Sequence, residues 1–170
     1  MNISQTDLKK AASTWAGSNW FSNMLPLDIP LVYDGDTYLT SENFYQAMKI
    51  DTSRLDAKQR RREISLMSSH QSKACFRKEP SIYYVRPDWT AGMKLRYMSY
   101  ILNWKFCPET SWYWKLLETK DEPIVEFNNW GDTFWGYDVR KHEGQNHLGR
   151  LLMEIRAKHS KTALQYFMEE

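Results

Sequence analysis

Cysteine is scarce in this 170-residue chain. Cys75 and Cys107 stand far apart and neither belongs to a C-x-x-C pair. No disulfide framework and no metal site is therefore expected, and a reducing compartment fits. Long apolar runs are also missing. No stretch approaches the roughly 18 residues that a membrane helix needs, and the first residues carry no apolar leader core. The expectation is a cytoplasmic protein with no membrane partner. Charge of one sign is absent too: 23 basic against 21 acidic residues leave a net +2. The total charge therefore sets up no strong field for nucleic acid or membrane. Internal repeats and low-complexity tracts are absent.

Aromatic residues are abundant, with eight Trp and ten Tyr in an aromatic fraction of 15%. Some of these rings do more than fill a core, because Trp is rarely buried whole. The length predicts one domain, residues 1–170, able to bury a real core.

The chain reads as a mostly helical α+β protein with a small β-sheet. Residues 1–14 form a short helix or remain loose, and residues 15–24 form an aromatic loop. Residues 29–38 read as a hairpin, with Asp34-Gly35 as its turn. Residues 54–67 are charged and helix-prone, anchored by Leu55, Ile64 and Met67. The basic run K-Q-R-R-R at 58–62 reads as a solvated face or as a contact for phosphate. A short helix over 68–76 and a turn or extended piece over 81–86 follow. Asp88 then caps a long helix running to about Phe106. Its stripe of Trp89, Met93, Tyr97, Tyr100, Ile101 and Trp104 reads as core, with Trp89 placed to face a cleft. A helix over 110–119, a strand over 123–127 and a final helix from Asn146 or His147 complete the pattern.

Two stretches carry candidate chemistry. Residues 40–49, T-S-E-N-F-Y-Q-A-M-K, open a helix that Thr40 or Ser41 can cap. Phe44, Ala47 and Met48 form its apolar face. Glu42, Tyr45, Gln46 and Lys49 fall on another face, with Glu42 and Lys49 about two turns, or ~10 Å, apart. This polar stripe is either plain surface or the lining of a pocket. The second stretch, residues 128–149, holds four of the seven glycines. A structureless segment of this length points to function when it carries Trp130, Phe134, Trp135 and Tyr137. Asp132 stands between two Trp residues as a carboxylate beside stacking surfaces. Glycine in such a loop allows close backbone approach to a ligand.

Taken in order, several motifs resemble the NADAR family, also called YbiA-like. They are F-S-N at 21–23, D-G-x-x-Y-x-T-S-E-N-F-Y-Q-A-M-K at 34–49, D-W at 88–89, K-F at 105–106, D-x-x-W-G at 132–136 and G-x-N-x-L-G-x-x-L-M-x-I-R at 144–156. The resemblance covers roughly residues 19–156. Asn43 stands where family members usually carry His, and Met24 where they carry an aromatic. The family resemblance implies an N-glycosidase that cleaves a bond between ribose C1 and nitrogen, with no cofactor and no metal. Two substrate classes follow from it: ADP-ribose on guanine in nucleic acid, and ribosylamino-pyrimidine phosphates of riboflavin synthesis. The first class implies an ADP-ribosyltransferase toxin encoded nearby as partner. The basic run at 58–62 favours ADP-ribosylated DNA. A protein that binds NAD or ADP-ribose without turnover is the reading from another class.

Breaking a C–N glycosidic bond builds positive charge on the sugar. A carboxylate beneath that carbon stabilises the charge and accepts a proton from attacking water. Glu42 is the first candidate for this role and Asp132 the second. A buried lysine offers covalent attack and an imine instead, and Lys49 and Lys105 both stand at family-like positions. Trp89 and Trp135 can stack the leaving base, each contact being worth about 1–3 kcal/mol. The expected substrate-binding set is Phe21, Asn23, Tyr45, Gln46, Trp89, Trp135, Gly136, Asn146, Gly149 and Arg156. Within it, Asn23 contacts ribose or base. Backbone N–H groups around 144–149, with Arg150 or Arg156, hold phosphate.

Overall fold

The computed structural model describes residues 12–15 and 20–168. They fall into two compact units: residues 23–105, and the described residues before 23 together with those from 106 onward. The strands are β1 (Ala12–Trp15), β2 (Pro26–Tyr33), β3 (Asp36–Thr40), β4 (Ile124–Asn128) and β5 (Tyr137–Asp138). The helices are α1 (Ser41–Ala47), α2 (Ala57–Leu66), α3 (Ser69–Lys78), α4 (Ala91–Lys105), α5 (Ser111–Glu118) and α6 (His147–Met168). The fold is α+β and mostly helical, with two small sheets among the described residues.

In the unit of residues 23–105, β2 and β3 form the expected hairpin, pairing Leu31 with Tyr38 and Tyr33 with Asp36. Asp34 and Gly35 both take positive φ, 51° and 81°. That pair matches the twist of the flanking strands, and Asp-Gly tolerates it better than most dipeptides. Along β3, Asp36, Tyr38 and Thr40 are buried while Thr37 and Leu39 face solvent, a period of two. The chain then enters α1 directly. Thr40 caps it by accepting the Asn43 N–H at 3.1 Å. All seven α1 residues are buried, so the polar stripe is not plain surface. Phe44 centres the core, with its ring 5.3–5.5 Å from those of Tyr33, Tyr38 and Tyr100. On the same helix, the Asn43 amide donates to the Ile64 and Met67 carbonyls at 2.8 Å each, closing the end of α2. Asn43 is thereby a structural residue.

Three expectations change in this unit. Leu55 is fully exposed, and only Ile64 of the three proposed anchors is buried. Asp88 does not cap α4; both its carboxylate oxygens accept from the Arg86 guanidinium, and the helix begins three residues later. Arginine two residues away outcompetes the backbone for that carboxylate. The buried face of α4 is Met98, Ile101, Leu102 and Lys105, whereas Tyr100 and Trp104 are partly exposed. The expected stripe sat about one position off. Within the basic run, Arg60 pairs with Asp56 at 3.0 Å and Glu63 at 2.8 Å, and Arg61 lies 3.8 Å from Asp34.

The other unit is built on a parallel sheet of order β1-β4-β5. Residues 12–15 are a strand rather than helix or loose chain; residues 1–11 and 16–19 lie outside the described residues. Residues 128–149 are not structureless, because β5 pairs Tyr137 with Phe127 and Asp138 with Asn128. The helix α6 starts at His147 and buries Leu148, Leu152 and Ile155, with Leu151 half-buried.

Candidate functional site

The helix α1 gathers most of the candidate chemistry of residues 23–105. Its carboxylate, Glu42, is 8% exposed and accepts a hydrogen bond from Gln46 Nε2 at 2.8 Å. This contact is the i,i+4 pairing expected of Glu and Gln on one helical face. The Glu42 N–H donates to the Asn23 carbonyl at 2.9 Å, which fixes Asn23 at the first turn of the helix. Asn23 in turn donates its side-chain N–H to Met98 Sδ of α4 at 3.4 Å. Oxygen atoms remain over: Asn23 Oδ1 and Gln46 Oε1 are buried with no hydrogen-bond partner. Buried polar atoms are nearly always paired, so unpaired acceptors beside a buried carboxylate mark a place built for donors.

Lys49 lies just past the end of α1, a position the straight-helix estimate did not anticipate. Its Nζ stands 5.0 Å from the ring centre of Tyr45 and 5.6 Å from that of Phe76. Burial lowers its pKa below the ordinary lysine value, and the nearby Glu42 carboxylate offsets part of that effect. An ammonium with a lowered pKa is more often a free amine, the form that attacks carbon or takes a proton. Trp89 stands 5.4 Å from the Tyr45 ring, and Tyr97 stacks against it at 5.8 Å with planes 21° apart. Arg86 reaches the Tyr97 hydroxyl at 3.4 Å. A backed, half-buried indole beside a carboxylate and a lysine is a stacking surface for a planar base.

Lys105 ends α4 and is 1% exposed. Burial drives its pKa down from 10.5 to about 7, against a smaller upward pull from Asp28. It is a second lysine with substantial free amine near neutral pH.

The remaining candidates lie in the other unit, where most of them hold the fold together. Asn146, with φ 50°, donates its amide to the Ile124 carbonyl at 2.9 Å and accepts the Glu126 N–H at 3.0 Å. It thereby serves one edge of β4. A Cβ on Gly149 would stand 2.1 Å from the Ile124 carbonyl oxygen, and one on Gly136 2.2 Å from that of Glu126. Both glycines let backbone pack on β4. Arg156 is buried and donates to Thr119 Oγ1 at 2.7 Å and the Glu122 carbonyl at 2.8 Å, closing the end of α5. Asp132 Oδ1 accepts the N–H groups of Phe134 and Trp135 at 3.2 and 2.9 Å, so it shapes its own loop. Trp135 packs edge-on to Phe134, and Phe21 is buried against Trp20.

The centre on α1 thus unites Glu42, Gln46, Asn23, Tyr45, Lys49 and Trp89. Sequence reasoning missed Phe76 and Tyr97, the rings that flank Lys49 and back Trp89. Phe76 left no signal beyond its apolar character, and Tyr97 was assigned wholly to core. Among the described residues no cluster of His, Cys, Asp and Glu could hold a metal ion.

Comparison with known proteins agrees with this arrangement. The NADAR domain model matches residues 5–159. The chain is 35% identical to N-glycosidase YbiA of Escherichia coli over 75% of its length and 74% of that protein's. It is 34% identical to N-glycosidase Npun_R5314 of Nostoc punctiforme, over 84% and 86%. It is 31% identical to riboflavin biosynthesis protein VVA0006 of Vibrio vulnificus over 81% of its length, but spans only 34% of that protein. The NMR structure of E. coli YbiA superposes with a TM-score of 0.70 at 30% identity, covering 91% of this chain and 88% of that one. By family model, relatives and fold together, the chain belongs to the NADAR domain family.

Proposed function

We propose that the protein is an N-glycosidase that cleaves the bond between ribose C1 and a nitrogen of a planar base. The buried pair of Glu42 and Lys49, with Trp89 beside them, carries this reading, together with relatives named N-glycosidase that align over most of their length. In the water route, Glu42 takes a proton as the water oxygen bonds to C1. The C1–N bond breaks and its electron pair leaves with the base, which is then protonated. In the amine route, Lys49 Nζ bonds to C1 and displaces the base. The sugar ring opens to an imine, and water later releases the sugar. Trp89 holds the leaving base in both.

Two substrates fit this chemistry. A ribosylamino-pyrimidine phosphate is favoured by the relative named for riboflavin biosynthesis. ADP-ribosylated guanine in DNA is favoured by the exposed Lys58 and Arg62 on α2 and by the Arg54–Tyr84 contact, 4.0 Å from guanidinium to ring centre. An ADP-ribosyltransferase toxin encoded nearby would accompany the second substrate.

The test incubates the protein with each substrate, with and without borohydride, and reads base release and protein mass. Release with a trapped sugar on Lys49 or Lys105 establishes the amine route. Release without an adduct establishes water attack assisted by Glu42. Folded protein that releases base from neither substrate refutes the N-glycosidase reading.

A further inference from the structure

The hydrogen-bonding atoms around Glu42 have an unusual composition. The Gln46 amide is oriented by chemistry: its N–H must face the carboxylate, which only accepts. Its oxygen is therefore turned away, buried and without partner. The same holds for Asn23, whose N–H points to the Met98 sulfur while its oxygen is left over. Ser41 Oγ is also buried without partner, but Ser41 lies about 140° around the helix from Gln46 and faces elsewhere. What remains at the first two turns of α1 is an array of acceptors: two amide oxygens and a carboxylate.

Such an array selects its guest. An anion such as phosphate is repelled by the carboxylate. A cation is disfavoured because Lys49, with Lys94 and Lys73 near it, already supplies positive charge. A neutral group with two adjacent donors satisfies the atoms best, because leaving buried acceptors unpaired is costly. Ribose carries such a group in its 2′- and 3′-hydroxyls. An exocyclic amine on the base is the other neutral donor in the proposed substrates.

We propose that Glu42, Gln46 and Asn23 form a clamp for the vicinal hydroxyls of the substrate ribose, so that the protein takes ribosides and rejects 2′-deoxyribosides. The clamp rests on the N-glycosidase reading for the identity of the sugar. It deepens that reading by assigning Gln46 and Asn23 as specificity-determining residues. It also puts the Glu42 carboxylate close to C1, since the 2′-hydroxyl is one carbon away. Hydrogen bonds to that hydroxyl strengthen as charge builds on the sugar.

Binding, rather than turnover, tests the clamp independently of the reaction. Ribose 5-phosphate and 2-deoxyribose 5-phosphate are titrated calorimetrically into the wild type, Gln46→Met and Asn23→Leu, with thermal melting to verify folding. The wild type is expected to bind ribose 5-phosphate about 10- to 100-fold more tightly, as suits a hydrogen bond to a charged group. In either variant that preference shrinks to within about threefold. A preference that persists in both variants shows that the oxygens do not read the hydroxyl. Equal binding of the two sugars by the wild type, or binding of neither, overturns the clamp. A preference for the exocyclic amine would appear as no difference between the sugars. If the sugar preference stands while no base is released from any riboside, the clamp holds and the N-glycosidase reading falls.

Discussion

Replacing Lys105 by methionine removes a buried ammonium and keeps most of the volume. Lys105 is 1% exposed, and its pKa falls from 10.5 to about 7, chiefly through burial. At about 1.4 kcal/mol for each pH unit, the charged form is about 5 kcal/mol less favourable in the folded chain than in the unfolded one. The unfolded chain keeps this proton up to about pH 10.5, whereas the folded chain releases it near 7. Between these limits the unfolded state binds more protons, so stability rises with pH. Below pH 7 both states are charged and the whole penalty applies.

The rise from pH 7.0 to 8.5 should be about 1.5 kcal/mol from this group alone. Ending at 8.5 limits interference from Cys75, whose thiol is pushed up to about 11 by burial and whose effect on stability has the opposite sign. Urea unfolding of wild type and Lys105→Met at the two pH values gives the comparison. The methionine variant should lack about 1.5 kcal/mol of the wild-type rise and be more stable than wild type at pH 7.0. An equal rise in both proteins would refute the argument, because it would mean that Lys105 does not release its proton on folding.

Glu42→Gln keeps the helix and the Gln46 neighbour, so melting should change by less than about 1 kcal/mol. Base release should fall about 10²- to 10⁴-fold, as for loss of a positioned base; unchanged release would remove Glu42 from the reaction. Gly149→Ala places a methyl 2.1 Å from the Ile124 oxygen, and should cost about 3 kcal/mol or more as overpacking. A near-normal melting curve would show that α6 can move off β4. Asn146→Ala leaves the Ile124 carbonyl and Glu126 N–H without their side-chain partner. It should lower stability by about 2 kcal/mol or more, readable by urea titration.

Local signals were legible wherever a short-range rule decided the outcome. Asp34-Gly35 could do little but turn, and Thr40 followed by Ser-Glu-Asn could do little but start a helix. The same rules failed where a neighbour competed. Asp88 looks like a cap until Arg86 takes both its oxygens. Residues 12–15 carry little strand signal of their own and are a strand because β4 lies beside them.

The candidate site divides along the same line. Glu42, Tyr45, Gln46 and Lys49 were visible as one stripe, but a stripe seven residues long is equally consistent with solvent and with a pocket. What settles it is the burial of α1 on every side, which depends on Tyr38, Ile64, Phe76 and Met98 from four other parts of the chain. Motif resemblance has a matching weakness. The stretch 144–156 matches the family as well as the stretch 34–49 does, yet its Asn146, Gly149 and Arg156 bind strand and helix ends. A motif marks residues that the fold or the reaction needs and does not say which. Only the hydrogen-bond partners separate the two. Asn146 and Arg156 have theirs within the chain, whereas the Gln46 and Asn23 oxygens lack partners, and those oxygens are where a substrate has something to supply.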